Sequence, residues 1–154
     1  MPSDYLDDKR RSLEQAALSK VVASNAFQRD AIIEFLDRFD IPNAITKLRH
    51  EPRENAVLFA NLAFVRHFGL SRSSLLLSSA VDFVRARSRV LATVRTFINT
   101  VYLAGRSRGV LSTYTSDRRR FRTQITSYRF RGYDNDDYAL SFVEPMSELT
   151  RGRG

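Results

Sequence analysis

Residues 55–64, Asn55-Ala-Val-Leu-Phe-Ala-Asn-Leu-Ala-Phe64, decide how the rest of the chain is read. Ala56 to Phe59 is a short apolar run of β type. Asn61 to Phe68 reads as a short helix closed by Gly69, the residue favoured just past a helix C-terminus. Upstream, Ala44 to Leu48 is a second β-type run, joined to the first through a turn at His50-Glu-Pro-Arg-Glu-Asn55. Before it lies a helical stretch over 25–39, in which Ile32, Ile33, Phe35, Leu36 and Phe39 recur at helical spacing among charged residues. Asp40-Ile-Pro42 ends that helix, because the residue before a proline is pushed out of the α region. Still earlier, Ser12-Leu-Glu-Gln15 has capping-box spacing, and Leu13, Ala16, Ala17, Val21 and Val22 supply a modest apolar stripe.

Downstream, Ser71 caps another short helix through Leu76. Val81 to Leu103 reads as the longest later helix, with Gly105 and Gly109 bracketing its exit. The period then changes. Val110 to Thr115, Phe121 to Phe130 and Tyr138 to Val143 alternate and are rich in aromatic and β-branched residues, which predicts three antiparallel strands. Asp117 sits in the first turn between them, and Gly132 with Asp134-Asn-Asp-Asp137 forms the second. The order of elements places the chain in the α+β class.

Composition bounds the function. The 154 residues are 43% hydrophobic and 27% charged, suited to one domain with a full core. The apolar runs are too short to span a membrane, and the polar, acidic start is not a secretory signal, so a cytoplasmic location is expected. With no Cys there is no disulfide, thiolate nucleophile or Cys-based metal site. His50 and His67 are too few for a histidine metal site, although His67 falls on the short helix after the second strand. Asp134, Asp136 and Asp137 lack the spacing of a calcium loop and read as a hairpin turn. No catalytic triad, phosphate loop or Cys–His pair is present, so no enzyme activity is expected.

The net charge is +8, and 22 of the 25 basic residues are Arg. Residues 81–131 carry 12 Arg against Asp82 and Asp117, so this segment holds the whole excess. Its densest part is Arg118, Arg119, Arg120 and Arg122 around Phe121. A basic stripe with interleaved aromatics can hold phosphates and stack bases, which makes nucleic acid the alternative partner.

The element order, with its short helical connections, resembles the PAS family. The likeness sharpens at Asn55-Ala-Val-Leu-Phe-Ala-Asn-Leu-Ala-Phe64, Gly69-Leu-Ser-Arg72 and Leu75-Leu76, which resemble the LOV branch pattern N-P-I-V-F-A-N-x-A-F, T-G-Y-S-R and its following L. Tyr114, Asp117 and Phe121 fall on the branch's later N-Y-x-x-D-G-x-x-F-x-N pattern. The resemblance covers about residues 41–146, with 1–40 as an N-terminal helical extension and 147–154 as a tail. It implies a PAS-like five-stranded antiparallel sheet with short connecting helices and one long helix. The departures concern chemistry. Ala80 stands where LOV domains carry the cysteine that bonds to flavin, Ser79 replaces the Asn before it, and Val81-Asp-Phe-Val84 replaces R-F-L-Q. The two strand Asn residues that read the ring's polar edge fall on Thr113 and Thr123, and the last-strand Gln falls on Val143. A thiol adduct is therefore chemically impossible, and neither flavin nor haem is expected as a cofactor.

Both faces of the predicted sheet are apolar. Ala139, Ser141 and Val143 share one face with small residues, and Tyr138, Leu140 and Phe142 the other. The small-residue face, covered by the connecting helices, leaves room for an apolar pocket bordered by Phe64, Ala80, Phe97, Thr113, Thr123, Ile125 and Val143. The aromatic face, with Tyr128 and Phe130, needs a cover, for which the helix at 25–39, from the same chain or from a second copy, is the candidate. In PAS proteins that outer face with an N-terminal helix is commonly the dimer surface. Ile32, Phe35, Leu36, Phe39, Tyr128, Phe130, Tyr138, Leu140 and Phe142 are thus the expected partner interface. Little chain follows the last strand, so output is expected through association, as a homodimer or with a partner in trans. The expected function is a sensory, regulatory or scaffold module that acts by protein–protein interaction.

Overall fold

The order of short strand, short strand, helices and a three-strand meander becomes one five-stranded antiparallel sheet in the computed structural model, which describes residues 26–75, 78–84 and 88–149. The capping-box stretch over 12–22 lies outside these residues. Helix α1 (Ala26–Asp37) leads into β1 (Asn43–Lys47), a 3-10 turn (Pro52–Glu54) and β2 (Val57–Ala60). Helices α2 (Leu62–Phe68) and α3 (Arg72–Leu75), then a second 3-10 turn (Ala80–Phe83), precede the long helix α4 (Ser88–Ala104). Strands β3 (Arg106–Tyr114), β4 (Arg120–Arg131) and β5 (Asp137–Leu149) close the sheet in the order β2-β1-β5-β4-β3. No helix among the described residues is long and apolar enough to cross a membrane.

Three boundaries differ from the sequence reading, each for a local reason. The long helix begins at Ser88 rather than Val81, because 78–80 is pinned beside β2. Ala56 bridges Ser79, Val57 N–H donates to the Ser78 carbonyl at 2.8 Å, and Ala80 N–H donates to the Asn55 carbonyl at 3.0 Å. The Ser79 hydroxyl then accepts from Val81 N–H, which starts the 3-10 turn. The helix leaves through Gly105 alone, at φ +80°, and Gly109 lies within β3. A Cβ on Gly109 would sit 3.3 Å from the Phe97 ring, so the missing side chain lets β3 approach α4. Finally, β5 runs on to Leu149, so residues 147–149, assigned to the tail, belong to the sheet.

The two sheet faces bury different cores. On the inner face, Ala44, Val57 and Val143 pack with Phe64, Phe68 and Leu75, while Leu48 and Ala139 pack with Ile98 and Val101. On the outer face, Leu36 of α1 joins Ile45, Leu58, Phe59 and Tyr138, with Ile32, Ile33, Phe130 and Leu140 against them. Strand β2 supplies two outer residues in succession because of a bulge: Ile45 faces Phe59 and Thr46 faces Val57, which leaves Leu58 as the extra residue.

The buried side chain of Asn61 joins these layers. Its Oδ1 accepts from Phe64 N–H at 3.0 Å, which caps α2, and from Asn43 N–H at 2.9 Å. Its Nδ2 reaches the carbonyls of Leu36, Phe39 and Ile41 at 3.1, 3.3 and 3.2 Å, where α1 unwinds. Asn43, also fully buried, donates through Nδ2 to the Leu36 carbonyl. Asn61→Ala removes both the cap and the carbonyl donor, an expected loss of roughly 2–4 kcal/mol from a cap and buried unsatisfied carbonyls. Asn61→Asp keeps the cap oxygen but points a carboxylate at three carbonyls. Urea unfolding should find it at least as damaging as Ala, and wild-type stability in the Asp variant would show that the amide donor contributes nothing.

Candidate functional site

The inner face holds a partly open cavity of about 130 Å³ between the sheet, α2, the second 3-10 turn and α4. Phe64, Ala80, Phe97, Thr113, Ile125 and Val143 line it, joined by Phe68, Leu111, Ser127, Ala139 and Ser141, among others. The bridge between Ala56 and Ser79 holds Ala80 in the wall. Thr123, expected in the lining, is instead turned into the protein: it is fully buried, and its hydroxyl lies 2.7 Å from that of Thr113 and 3.4 Å from the Phe121 carbonyl. A bulge after Arg122, opposite Pro145, interrupts the β4–β5 register at this point. Ser127 and Ser141, which simple strand alternation places on the cavity face, pair with each other at 2.6 Å. Asn55, also at the wall, spends its amide on the 48–55 loop, donating to the carbonyls of Arg49, Glu51 and Pro52.

These residues do not fit a flavin. The cavity falls below the roughly 300–1,000 Å³ of pockets for drug-sized ligands. Ala80 and Val143 offer no side-chain polar atom, and the Thr113 and Thr123 hydroxyls bond each other. The volume is instead close to that of an apolar cavity of about 150 Å³ that accepts benzene.

The expected partner interface divides in two. Leu36 and Tyr138 are buried within the chain, and Ile32, Phe130 and Leu140 pack against them, so α1 covers this part of the outer face in cis. The Tyr138 hydroxyl donates to Asp134, and its pKa is raised by burial and by that carboxylate. The remainder forms an aromatic strip that emerges beside α1. Phe35 meets Phe39 edge-on at 5.2 Å, Phe39 meets Phe142 at 5.6 Å, and Phe142 meets Tyr128 at 6.4 Å. Phe35 is 59% exposed and Tyr128 39%.

The Arg cluster also divides. Arg119 forms a bidentate pair with Glu148 at 2.8 and 2.9 Å and lies over the Phe121 ring, whereas Arg118, Arg120 and Arg122 stand exposed. The Arg119 contact holds the Glu148 pKa below the usual range. The acidic turn is occupied by internal pairing: Asp136 with Arg49, Asp137 with Arg129. Among the described residues no group of His, Asp and Glu is arranged to hold a metal ion. His50 stacks on Tyr102 at 4.1 Å. His67 turns away from the cavity, edge-on to Phe121 at 4.6 Å and Phe68 at 4.7 Å. Its Nε2 is buried without a hydrogen-bond partner.

No family model and no curated protein matches the chain in sequence. Among solved structures, a LOV protein of Rhodobacter sphaeroides aligns at a TM-score of 0.61 and 21% identity, over 84% of this chain and 70% of its own. The PAS domain of an HTR-like protein from Haloarcula marismortui aligns at 0.61 and 14%, over 76% and 90%. An RNA-binding light-oxygen-voltage receptor aligns at 0.62 and 11%, over 78% of this chain and 33% of that one. The chain therefore has a PAS-like α+β fold, the fold of LOV and PAS domains.

Two measurements check the site. Ala80→Cys restores the thiol, yet the purified variant incubated with flavin should stay colourless and form no light-driven adduct; a bound yellow chromophore would refute the misfit. His67 gives a pH dependence. Burial, then the charge of Arg119, lowers its folded pKa below 6.5, so the unfolded chain binds the proton more tightly. Stability should be full above pH 6.5 and fall as pH drops through and below that value. His67→Phe should flatten the 7-to-5 region of the urea midpoint against pH, and an unchanged slope would remove His67 as its cause.

Proposed function

We propose that this chain is a non-enzymatic sensory or scaffold module that needs no flavin or haem and acts as a homodimer through α1. The observation that carries the reading is that α1 is apolar on two sides. One side, Ile32, Ile33 and Leu36, packs on the sheet. The other is a ridge at four-residue spacing, Phe27, Ala31 and Phe35, that continues into Phe39. Phe27 is 84% exposed and Ala31 is exposed. Ridges of this spacing interdigitate when two helices pack. Among the described residues this second stripe stays exposed at Phe27, Ala31 and Phe35, and contiguous exposed apolar surface of this kind marks contact sites.

The cavity supplies an input. An apolar guest of about benzene size would press on Phe64 and Phe68 of α2. The cap of α2 and the carbonyls at the exit of α1 share one side chain, Asn61, so a shift of α2 is transmitted to the helix that carries the dimer ridge. A second reading, nucleic-acid binding, draws on the exposed Arg residues and on the RNA-binding receptor among the similar structures.

Sedimentation velocity across a concentration series tests the first reading. The wild type should form dimers, and Phe35→Glu should be monomeric with unchanged circular dichroism. A monomeric wild type, or a Phe35→Glu dimer of equal strength, would sink it.

A further inference from the structure

We propose that the outer face of the β3–β4 ladder is a binding site for single-stranded nucleic acid. Arg106, Arg108, Arg120 and Arg122 would hold backbone phosphates and Tyr128 would stack a base. This inference rests on the second reading above and assigns its surface.

The register places these residues. β3 and β4 pair without interruption, Arg106 opposite Tyr128, Arg108 opposite Thr126, Ser112 opposite Arg122 and Tyr114 opposite Arg120. Directly opposed residues share a face of the sheet, so these pairs lie together. The intervening residues Leu111, Thr113, Ile125 and Ser127 line the inner cavity, which makes this face the outer one. The residues that α1 packs against come from β1, β2, β5 and the end of β4 at Phe130, and none from β3. Arg106, Arg108, Val110, Arg120, Arg122 and Tyr128 are correspondingly exposed.

What sets this face apart is that its unpaired arginines lie together in register; Arg53, Arg66, Arg118 and Arg131 are also exposed without an ion pair among the described residues but lie outside the β3–β4 ladder. Arg38, Arg49, Arg72, Arg95, Arg119 and Arg129 each pair with a carboxylate. Arg106, Arg108, Arg120 and Arg122 have no ion-pair or hydrogen-bond partner among the described residues. They form two pairs, with Arg108 and the Arg122 register position four residues apart, about 13 Å at roughly 3.3 Å per residue. The strip between holds the uncharged Val110, Ser112, Gln124 and Thr126, and the exposed Glu144 of β5 borders it opposite Gln124 on the same face.

Shape and charge together select the occupant. A sheet face does not project into a duplex groove, which takes a helix or a two-stranded ribbon. An unpaired strand can lie along such a face with its phosphates on guanidinium groups and a base on an aromatic ring. Tyr128, beside Arg106, offers that ring at the end of the ladder. A second copy is excluded from this face, because two-fold packing would set four unneutralised guanidinium groups against four more.

Fluorescence anisotropy with a labelled oligouridylate, titrated against salt, tests the assignment. Four phosphate contacts predict a slope of log affinity on log salt of about −3, and the Arg120→Gln/Arg122→Gln variant a slope of about −1.4. Tyr128→Ala should weaken binding by about 5- to 150-fold. Arg53→Gln/Arg66→Gln, which removes the same charge from exposed positions elsewhere, should leave the slope unchanged. A control variant that lowers the slope as much, a duplex bound as tightly as the single strand, or polyglutamate competing equally well would each overturn the proposal. Binding that survives loss of Arg120 and Arg122 keeps the second reading and rejects this surface; a wild type that binds no oligonucleotide rejects both.

Discussion

A helix that ends over a sheet leaves carbonyls short of partners, and in this chain the buried amide of Asn61 reaches three of them, with Asn43 sharing two. The Asn61 side chain donates to the carbonyls of Leu36, Phe39 and Ile41 and accepts from the backbones of Asn43 and Phe64. Unsatisfied, such groups would cost about 1–3 kcal/mol each. Everything outside the inner core depends on that knot. It sets where α1 stops, where β1 begins and where α2 starts. Asp37 reinforces it by accepting from Leu62 N–H and pairing with Arg72, whose guanidinium also lies over Phe59 and donates to the Ala60 carbonyl.

The residues that carry the LOV resemblance are therefore the architectural ones. Asn55 closes the loop after β1, Asn61 joins three elements, Gly69 ends α2 at φ +69°, and Arg72 clamps the outer layer. A Cβ on Gly69 would come within 2.4 Å of the Ser116 hydroxyl, which itself donates to the Gly69 carbonyl, so this glycine also seats the β3–β4 turn. The positions that depart from the pattern, Ala80, Thr113, Thr123 and Val143, cluster on the inner face instead. There they are small, apolar or paired with each other.

Most of this was legible beforehand because it rests on local rules. The strand-to-helix change at Asn61, the stop at Gly69, the shift to two-residue alternation in the last third and the apolar outer face over β1, β2 and β5 all follow from neighbours in sequence. What escaped needed knowledge of partners far along the chain. Residues 81–84 look helical, but the bridge from Ala56 to Ser79 holds this segment to β2. Thr123 leaves the cavity lining beside a bulge set against Pro145. Whether the helix over 25–39 covers the aromatic face from the same chain or from a second copy is not written in its periodicity; the short link to β1 lets α1 cover Leu36 and Tyr138 in cis. The Arg count said nothing about faces, and only the register sorted Arg119 from Arg120 and Arg122.

That sorting explains how the outer face can serve two purposes. Over β2, β1 and β5 it is apolar and lies under α1, whose far side carries the exposed phenylalanines. Over β4 and β3 it is open and cationic, and β3 is an edge strand with unpaired backbone groups, a surface prone to uncontrolled pairing. Arg106 and Arg108 on that edge oppose the approach of an identical strand by like-charge repulsion. The same unneutralised charge leaves the β3–β4 face attractive to a polyanion. On the two readings proposed above, one distribution of charge would separate a surface for a second copy from a surface for a polyanion, and only the first depends on the helix that Asn61 holds in place.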